Sequence, residues 1–254
     1  MFTNAIVRTP GRSIVEGLSN SITLGLPNYE QAIIQHQSYT DTLTKCGLDV
    51  HVLEPCEEYP DSTFVEDVAL ITPNCAIITR PGAPSRRGEV HEIEFVLKQR
   101  FNNIEAIEAP GTIEGGDIMM VGDHYFIGLS ERTNLAGARQ IIQILKKYGM
   151  SGSTISLNKV LHLKTGLSYL EKNNLVVCGE FINDSYFGQY NSIEIPEKES
   201  YAANCIWVNE SVIIPLGYPT TKQRIKNAGY PVIETDVSEF QKLDGGISCL
   251  SLRY

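Results

Sequence analysis

Val68-Ala69-Leu70-Ile71-Thr72-Pro73-Asn74-Cys75-Ala76-Ile77-Ile78-Thr79 is a pair of short apolar runs folded about a Pro-Asn dipeptide. Branched side chains suit the pleated surface of a strand and Pro-Asn suits a turn, so the stretch predicts a β-hairpin. Three further stretches repeat it: residues 118–128 turning at Gly122-Asp123, residues 167–177 turning at Lys172-Asn173-Asn174, and residues 205–215 turning at Asn209-Glu210. A fifth run, residues 248–254, ends the chain without a return strand, but Ala5-Ile6-Val7 at the other end can supply one. Segments of helical periodicity stand between these runs, at residues 29–45, 89–101, 134–148 and 220–227. Recurrence every 35 to 50 residues or so is the period of propeller blades and solenoids. An open α/β sheet would need single strands alternating with helices, and the hairpins speak against it. The expectation is an α/β ring spanning residues 1–254 as one catalytic domain, closed by pairing of the N- and C-terminal strands.

The composition sets the bounds. With 254 residues, 42% hydrophobic and 20% charged, the chain can bury a core without staples. No run nears the roughly 18 apolar residues that span a bilayer, and the first residues lack a basic segment followed by an apolar one, so the expected location is cytoplasmic and away from membranes. Six cysteines, at 46, 56, 75, 178, 205 and 249, are dispersed without C-x-x-C spacing and are expected as thiols. The five histidines show no metal-ligand spacing, so neither a metal nor another cofactor is expected. A net charge of −9 argues against a nucleic-acid partner and suits a small cationic ligand.

Five polar clusters interrupt the apolar pattern. Asp244-Gly245-Gly246-Ile247-Ser248-Cys249 places a cysteine five residues from the end, and it reads as a nucleophile on a buried final strand, the glycines letting the chain bend or pass beside a ligand. Free cysteine is more often a small core residue, so the other clusters decide its reading. Residues 61–67 hold Asp61 and the adjacent pair Glu66-Asp67; neighbouring side chains on a strand point to opposite faces, so at most one of the pair should enter a given pocket. Residues 80–89 contain Arg86 and Arg87 in a Pro/Gly-bounded loop, where the planar arginine fork suits a carboxylate. Residues 111–117 repeat the acid-and-double-glycine character around Glu114, and residues 160–166 carry His162 between leucines. Together they offer a cysteine, a histidine and a surplus of carboxylates. A Cys-His pair performs covalent catalysis on electrophilic carbon, and carboxylates in a dry pocket complement a guanidinium.

The segments IVRTP (6–10), FVEDVAL (64–70), RPGAPSRRGEV (80–90), GTIEGGDIMMVGD (111–123), HLKTGLSYL (162–170), ESYAANCIWVN (199–209) and DGGISCLSLRY (244–254) resemble, in order and across the whole chain, the dimethylarginine dimethylaminohydrolase family. The resemblance implies a five-bladed, pseudo-fivefold α/β-propeller of ββαβ-type modules. It implies hydrolysis of Nω-methylated L-arginine, asymmetric dimethylarginine or monomethylarginine, to L-citrulline and dimethylamine or methylamine, by way of a thiouronium on the cysteine and without a cofactor. It assigns Cys249 as nucleophile, His162 as general acid and base, and Glu114 as the orienting acid. Asp67 would contact the guanidinium with Asp61 and Glu66 nearby, Arg86 and Arg132 would hold the α-carboxylate, and the main-chain carbonyls of Leu18 and Leu243 would receive the α-amino group, Leu18 on a mobile lid at residues 17–25. A small-molecule substrate is the expected partner, and a homodimer is left open. The rival readings are an arginine deiminase-type activity, which Arg86 and Arg132 would direct to an amino acid rather than to agmatine, and a non-catalytic binder of cationic amino acids. A papain-type hydrolase is disfavoured, since its cysteine lies early in the chain with the histidine downstream.

Overall fold

In the computed structural model, which describes residues 1–20 and 22–254 (and the main chain alone of Ile22), the chain forms five three-stranded sheets arranged as a ring. The first contains β1 (Asn4–Arg8), helix α1 (Tyr29–Lys45) and β2 (Asp49–Leu53). The second runs β3 (Ala69–Ile71), β4 (Ala76–Ile78), α2 (Val90–Lys98) and β5 (Ile104–Ala106). The third runs β6 (Ile118–Val121), β7 (His124–Leu129), α3 (Leu135–Lys147) and β8 (Ser151–Ser156). The fourth starts at the one-turn helix α4 (Leu163–Gly166), continues as β9 (Leu167–Tyr169) and β10 (Asn174–Val177), and reaches β11 (Asn191–Glu194) through two 3-10 turns, Gly179–Phe181 and Ser185–Phe187, in place of an α-helix. The fifth runs β12 (Ile206–Val208), β13 (Ser211–Pro215), α5 (Pro219–Asn227) and β14 (Val232–Thr235); a short α6 (Ser238–Gln241) then leads to β15 (Leu252–Arg253).

Every sheet has the same pairing, an antiparallel pair and then a parallel strand after the crossover, and in four of them the antiparallel pair is a hairpin. All four predicted hairpins are present. So is the ring closure, with Ile6 opposite Leu252 and Ala5 opposite Arg253, so that the tail serves as the missing first strand of the first module. Asn209 and Glu210, at φ 51° and 97°, make the left-handed turn that suits a two-residue hairpin. Asn209 also binds the main chain of Phe2 and Cys46, tying the last module to the first. The helices begin where the sequence offers a cap: Asn28 Oδ1 accepts from Gln31 N, Asn134 Oδ1 accepts from Gly137 N, and Pro219 opens α5.

The antiparallel edge strand of each sheet, β3, β6, β9, β12 and β15, faces the ring axis, and together they surround a cavity of about 140 Å³. One-turn segments lead into these inner strands and meet at one end of the ring: Val65–Val68, Gly115–Asp117, α4, Glu197–Ala203 and Ser248–Leu250. No helix among the described residues is long and apolar enough to cross a membrane.

Candidate active site

Each polar cluster of the sequence sits in one of those one-turn segments or beside it. The cysteine does not lie on the final strand as expected: Cys249 occupies the 3-10 turn Ser248–Leu250, and only Leu252 and Arg253 pair as strand. A turn holds the side chain better, because its own Cys249 N–H is bonded to the Gly246 carbonyl and the Gly246 N–H points at Sγ, 3.3 Å away. The double glycine makes room for neighbouring side chains. A Cβ on Gly245 would lie 2.2 Å from the Phe64 ring, and one on Gly246 would lie 2.5 Å from Asn204. Gly115 answers the same need in the third module, where a Cβ would fall 2.0 Å from the Glu66 carbonyl oxygen.

Leu18, Asp61, Asp67, Arg86, Glu114, Arg132, His162, Leu243 and Cys249 line one cavity of about 130 Å³, so nine of the ten expected site residues meet there. Glu66 is the exception. Its carboxylate points to the axial cavity, where it accepts from Ser248 Oγ (2.7 Å), pairs with Lys164 Nζ (2.5 Å) and lies 3.9 Å from the Arg253 guanidinium. The two cavities are of similar size, but only the first brings thiol, imidazole and carboxylates together. The expected lid, residues 17–25, includes Ser21, which lies outside the described residues. On its near side Leu18 N donates to Asp61 Oδ1, Ser19 Oγ to the Lys242 carbonyl and Asn20 N to Asp244 Oδ2.

His162 precedes α4, and its Nε2 is 2.8 Å from Glu114 Oε2. The other Glu114 oxygen accepts from Gly82 N, with Arg132 at 4.0 Å. Burial alone would lower the imidazole pKa. The Glu114 hydrogen bond and the charges of Asp117, Asp67 and Glu114 outweigh it and raise it to about 9, so His162 is cationic at neutral pH. Asp117 was quoted in its sequence cluster but given no role, and it is the central support. Its Oδ1 accepts from Leu163 N and its Oδ2 from Ser130 Oγ, fixing the start of α4.

Asp67 is fully buried: Oδ2 takes Arg86 at 2.7 Å and Oδ1 takes Gly116 N. Against the cost of burial, Arg86 and then His162 hold its pKa below the usual carboxylate range, so it stays an anion. Arg86 also engages Glu89 and the carbonyls of Asp61 and Phe64, so most of its fork is already occupied, whereas Arg132 is partly exposed at the mouth. The Cys249 thiol is pushed up to about 12, first by burial and then by the charges of Glu66 and Asp67; Gly246 N–H and Lys164 only partly oppose them. At neutral pH it is therefore a thiol. A cation seated between Asp67 and Sγ would offset those anions and favour the thiolate.

Asp67, Glu114 and His162 each offer one donor atom within 4.8 Å of the others, the spacing of a metal site. Each carboxylate already faces a cation, Arg86 or His162, which a metal ion would have to displace. A planar cation slid between these acids and the thiol requires no such rearrangement. The sequence reading also missed Lys164, Asn204 and Ser248: Asn204 clamps Ser248 at both N and Oγ, and so fixes the turn that carries Cys249.

Comparison with known proteins agrees with this geometry. The family model described as N,N dimethylarginine dimethylhydrolase, eukaryotic, matches residues 25–251. The chain is 59% identical over 256 aligned residues to the N(G),N(G)-dimethylarginine dimethylaminohydrolase of Pseudomonas aeruginosa, covering 100% of both. It superposes with a TM-score of 0.99, at 58% identity and full coverage of both chains, on a structure of the Pseudomonas aeruginosa enzyme whose C249S mutant is complexed with citrulline. A dimethylarginine dimethylaminohydrolase H162G adduct with S-methyl-L-thiocitrulline superposes over the full length of both chains at 0.98, also with 58% identity. With the family model spanning nearly all of the sequence and the relative matching from end to end, the chain belongs to the dimethylarginine dimethylaminohydrolase family.

Proposed function

We propose that this chain, acting as one catalytic unit of 254 residues, hydrolyses Nω-methylated L-arginine to L-citrulline and dimethylamine or methylamine. One observation carries the reading: a buried cysteine, an imidazolium and two carboxylates converge in one pocket whose other end holds a partly exposed arginine. Two solved structures support it, a C249S variant complexed with citrulline and an H162G variant in adduct with S-methyl-L-thiocitrulline, because this chain carries Cys249 and His162.

The guanidinium enters between Asp67 and Glu114, and Arg132 takes the α-carboxylate. Arg86, already held by Asp67 and Glu89, adds its charge from behind. The main-chain carbonyls of Leu18 and Leu243, with Asp61 beneath Leu18, receive the α-amino group. The substrate's positive charge favours release of the Cys249 thiol proton to solvent as the substrate binds, and the thiolate attacks the guanidinium carbon to give a neutral tetrahedral adduct. His162 gives its proton to the methylated nitrogen, the C–N bond breaks and a cationic thiouronium remains on Sγ. Neutral His162 then removes a proton from water, the hydroxide adds to the same carbon and the C–S bond breaks. Sγ leaves as thiolate and regains its proton from solvent as citrulline departs, while the surplus proton on the ureido oxygen passes to solvent, where the released amine takes it up. Holding carbon, sulfur and imidazole in register removes much of the entropic barrier. All six cysteines are free, and the nucleophile must remain reduced, so the cytoplasm is the compartment that suits it.

The test is incubation with asymmetric dimethylarginine, monomethylarginine and arginine, measuring citrulline and released amine for the parent and for Cys249→Ser. Citrulline from the methylated substrates, abolished in the variant, is the expected result. Faster turnover of unmethylated arginine would make the protein a deiminase, and binding without citrulline would leave it a binder.

A further inference from the structure

Beyond Cys249 and His162, on the side away from Arg132, lies a chamber of about 30 Å³ walled by Gly116, Lys164, Thr165, Tyr201, Asn204 and Gly246, with the Lys164 ammonium held by Glu66 at 2.5 Å. It shares His162, Asp244 and Cys249 with the substrate cavity, and Thr165, Tyr201 and Asp244 with an open surface groove. The reacting centre therefore has two sides, one for the amino-acid body and one that opens to solvent past Thr165 and Tyr201. A water-sized group needs about 10–15 Å³, so the chamber can lodge a water or an N-methyl group. The groove also reaches the substrate cavity directly at Asn20, Leu161 and Asp244. There the bonds from Asn20 N to Asp244 and from Ser19 Oγ to Lys242 draw the near side of the lid across the opening.

Resting on the function proposed above, we infer that this chamber is a binding site for the departing small alkylamine and, after it, for the attacking water, both passing Thr165 and Tyr201 while the amino-acid part of the adduct still fills the substrate cavity. The thiouronium is covalently held at Cys249, and its body lies between that sulfur and Arg132. A product leaving toward Arg132 would have to pass it, whereas a product leaving through the chamber does not. The walls suit a methylated amine. The Tyr201 hydroxyl is occupied by the Gly245 carbonyl at 2.7 Å, two walls are glycines without side chains, and Asp244 stands at the opening where the amine becomes a cation. The glycines cannot be enlarged without touching the machinery, since a Cβ on Gly116 would lie 3.0 Å from the His162 ring. Thr165 is exposed; its N–H donates to the His162 carbonyl at 3.1 Å whatever its side chain, and its hydroxyl makes only a long bond of 3.4 Å from His162 N, which makes its side chain the wall that can be varied.

The experiment compares kcat and KM for asymmetric dimethylarginine and monomethylarginine in the parent, Thr165→Leu and Thr165→Ser. Narrowing to leucine should cut kcat for the dimethylated substrate at least about fivefold more than for the monomethylated one, with both KM values little changed, and serine should not separate them. An equal loss on both substrates, or an effect confined to KM, overturns the inference. A second measurement on the parent holds whether or not the leucine variant folds: dimethylammonium and L-citrulline as paired inhibitors. Simultaneous binding of the two supports separate sites; mutual exclusion, or no inhibition by dimethylammonium, overturns them. A parent that forms no citrulline from either methylated substrate refutes the proposed reaction itself, whereas a working parent with equal losses in the leucine variant refutes only the chamber.

Discussion

Glu66 and Asp67 are neighbours in one 3-10 turn, and they face two different cavities. Asp67 faces the substrate cavity and is matched by Arg86; Glu66 faces the axial cavity and is matched by Lys164 and Ser248. Both are buried and both are compensated, as buried charges must be. They differ in what they can act on. Asp67 is placed to bind an incoming cation, while Glu66 sits behind the nucleophile and sets the field in which Cys249 ionises. Successive side chains on a 3-10 turn diverge by about a third of a revolution, so one short element carries a binding group and a tuning group without their merging into a single acidic patch.

The largest effect that tests this division is Asp67→Asn. It removes a binding anion and strips Arg86 of a partner, so kcat/KM should fall roughly a hundredfold or more, about 3 kcal/mol of transition-state binding. A loss below about tenfold would break the distinction between the two faces. Arg132→Ala should raise KM by roughly tenfold or more and alter kcat far less, because a carboxylate contact remote from the reacting carbon is made equally in ground and transition states. A loss confined to kcat would sink that role. On the axial side, Glu66→Gln should make the thiol easier to ionise, since its charge follows burial as the second cause of the raised Cys249 pKa. One pKa unit is tenfold in thiolate, so iodoacetamide labelling of Cys249 at pH 8 should speed up by about that factor. Slower labelling would contradict the assigned role of Glu66.

The hairpins, four long helices and ring closure were legible because they are written in local apolar runs and turn residues. The parallel outer strands were not. Ser151–Ser156 and Asn191–Glu194 are polar and half-solvated, and they are strands only because a hairpin edge lies beside them. The alternation rule already warned that Glu66 and Asp67 would part, yet the family resemblance placed both near the guanidinium; the local argument gave the better geometry. The double glycine at 245–246 reads as a place where the chain can bend or pass beside a ligand; Gly245 lines the substrate cavity and Gly246 the adjoining chamber, and the absent side chains also leave room for Phe64 and Asn204. Asp117, Lys164, Asn204 and Ser248 escaped assignment for a common reason: each acts on a partner more than 40 residues away, a relation that no spacing rule encodes.

A last effect, read in stability rather than in rate, isolates the substrate face: the dependence of stability on pH. His162 titrates at about 9 in the folded protein against 6.5 for an ordinary histidine. Below pH 6.5 both folded and unfolded chains carry that proton and its contribution to stability is fully present; between 6.5 and 9 only the folded state keeps it, so stability falls as pH rises through this window. The shift corresponds to about 3 kcal/mol at most. Buried His36 works in the other direction at the acid end: burial lowers it to about 4, so its contribution is present above 6.5 and lost as pH falls toward 4, outside this window. The Tm of the parent should therefore drop between pH 6.5 and 9, and His162→Gln should flatten that slope. Glu66→Gln should leave the slope in place, because the charges that hold the proton on His162 are those of Glu114, Asp117 and Asp67. If Glu66→Gln flattened it as well, the two faces would be electrostatically one site, and the separation drawn between neighbouring carboxylates would fail.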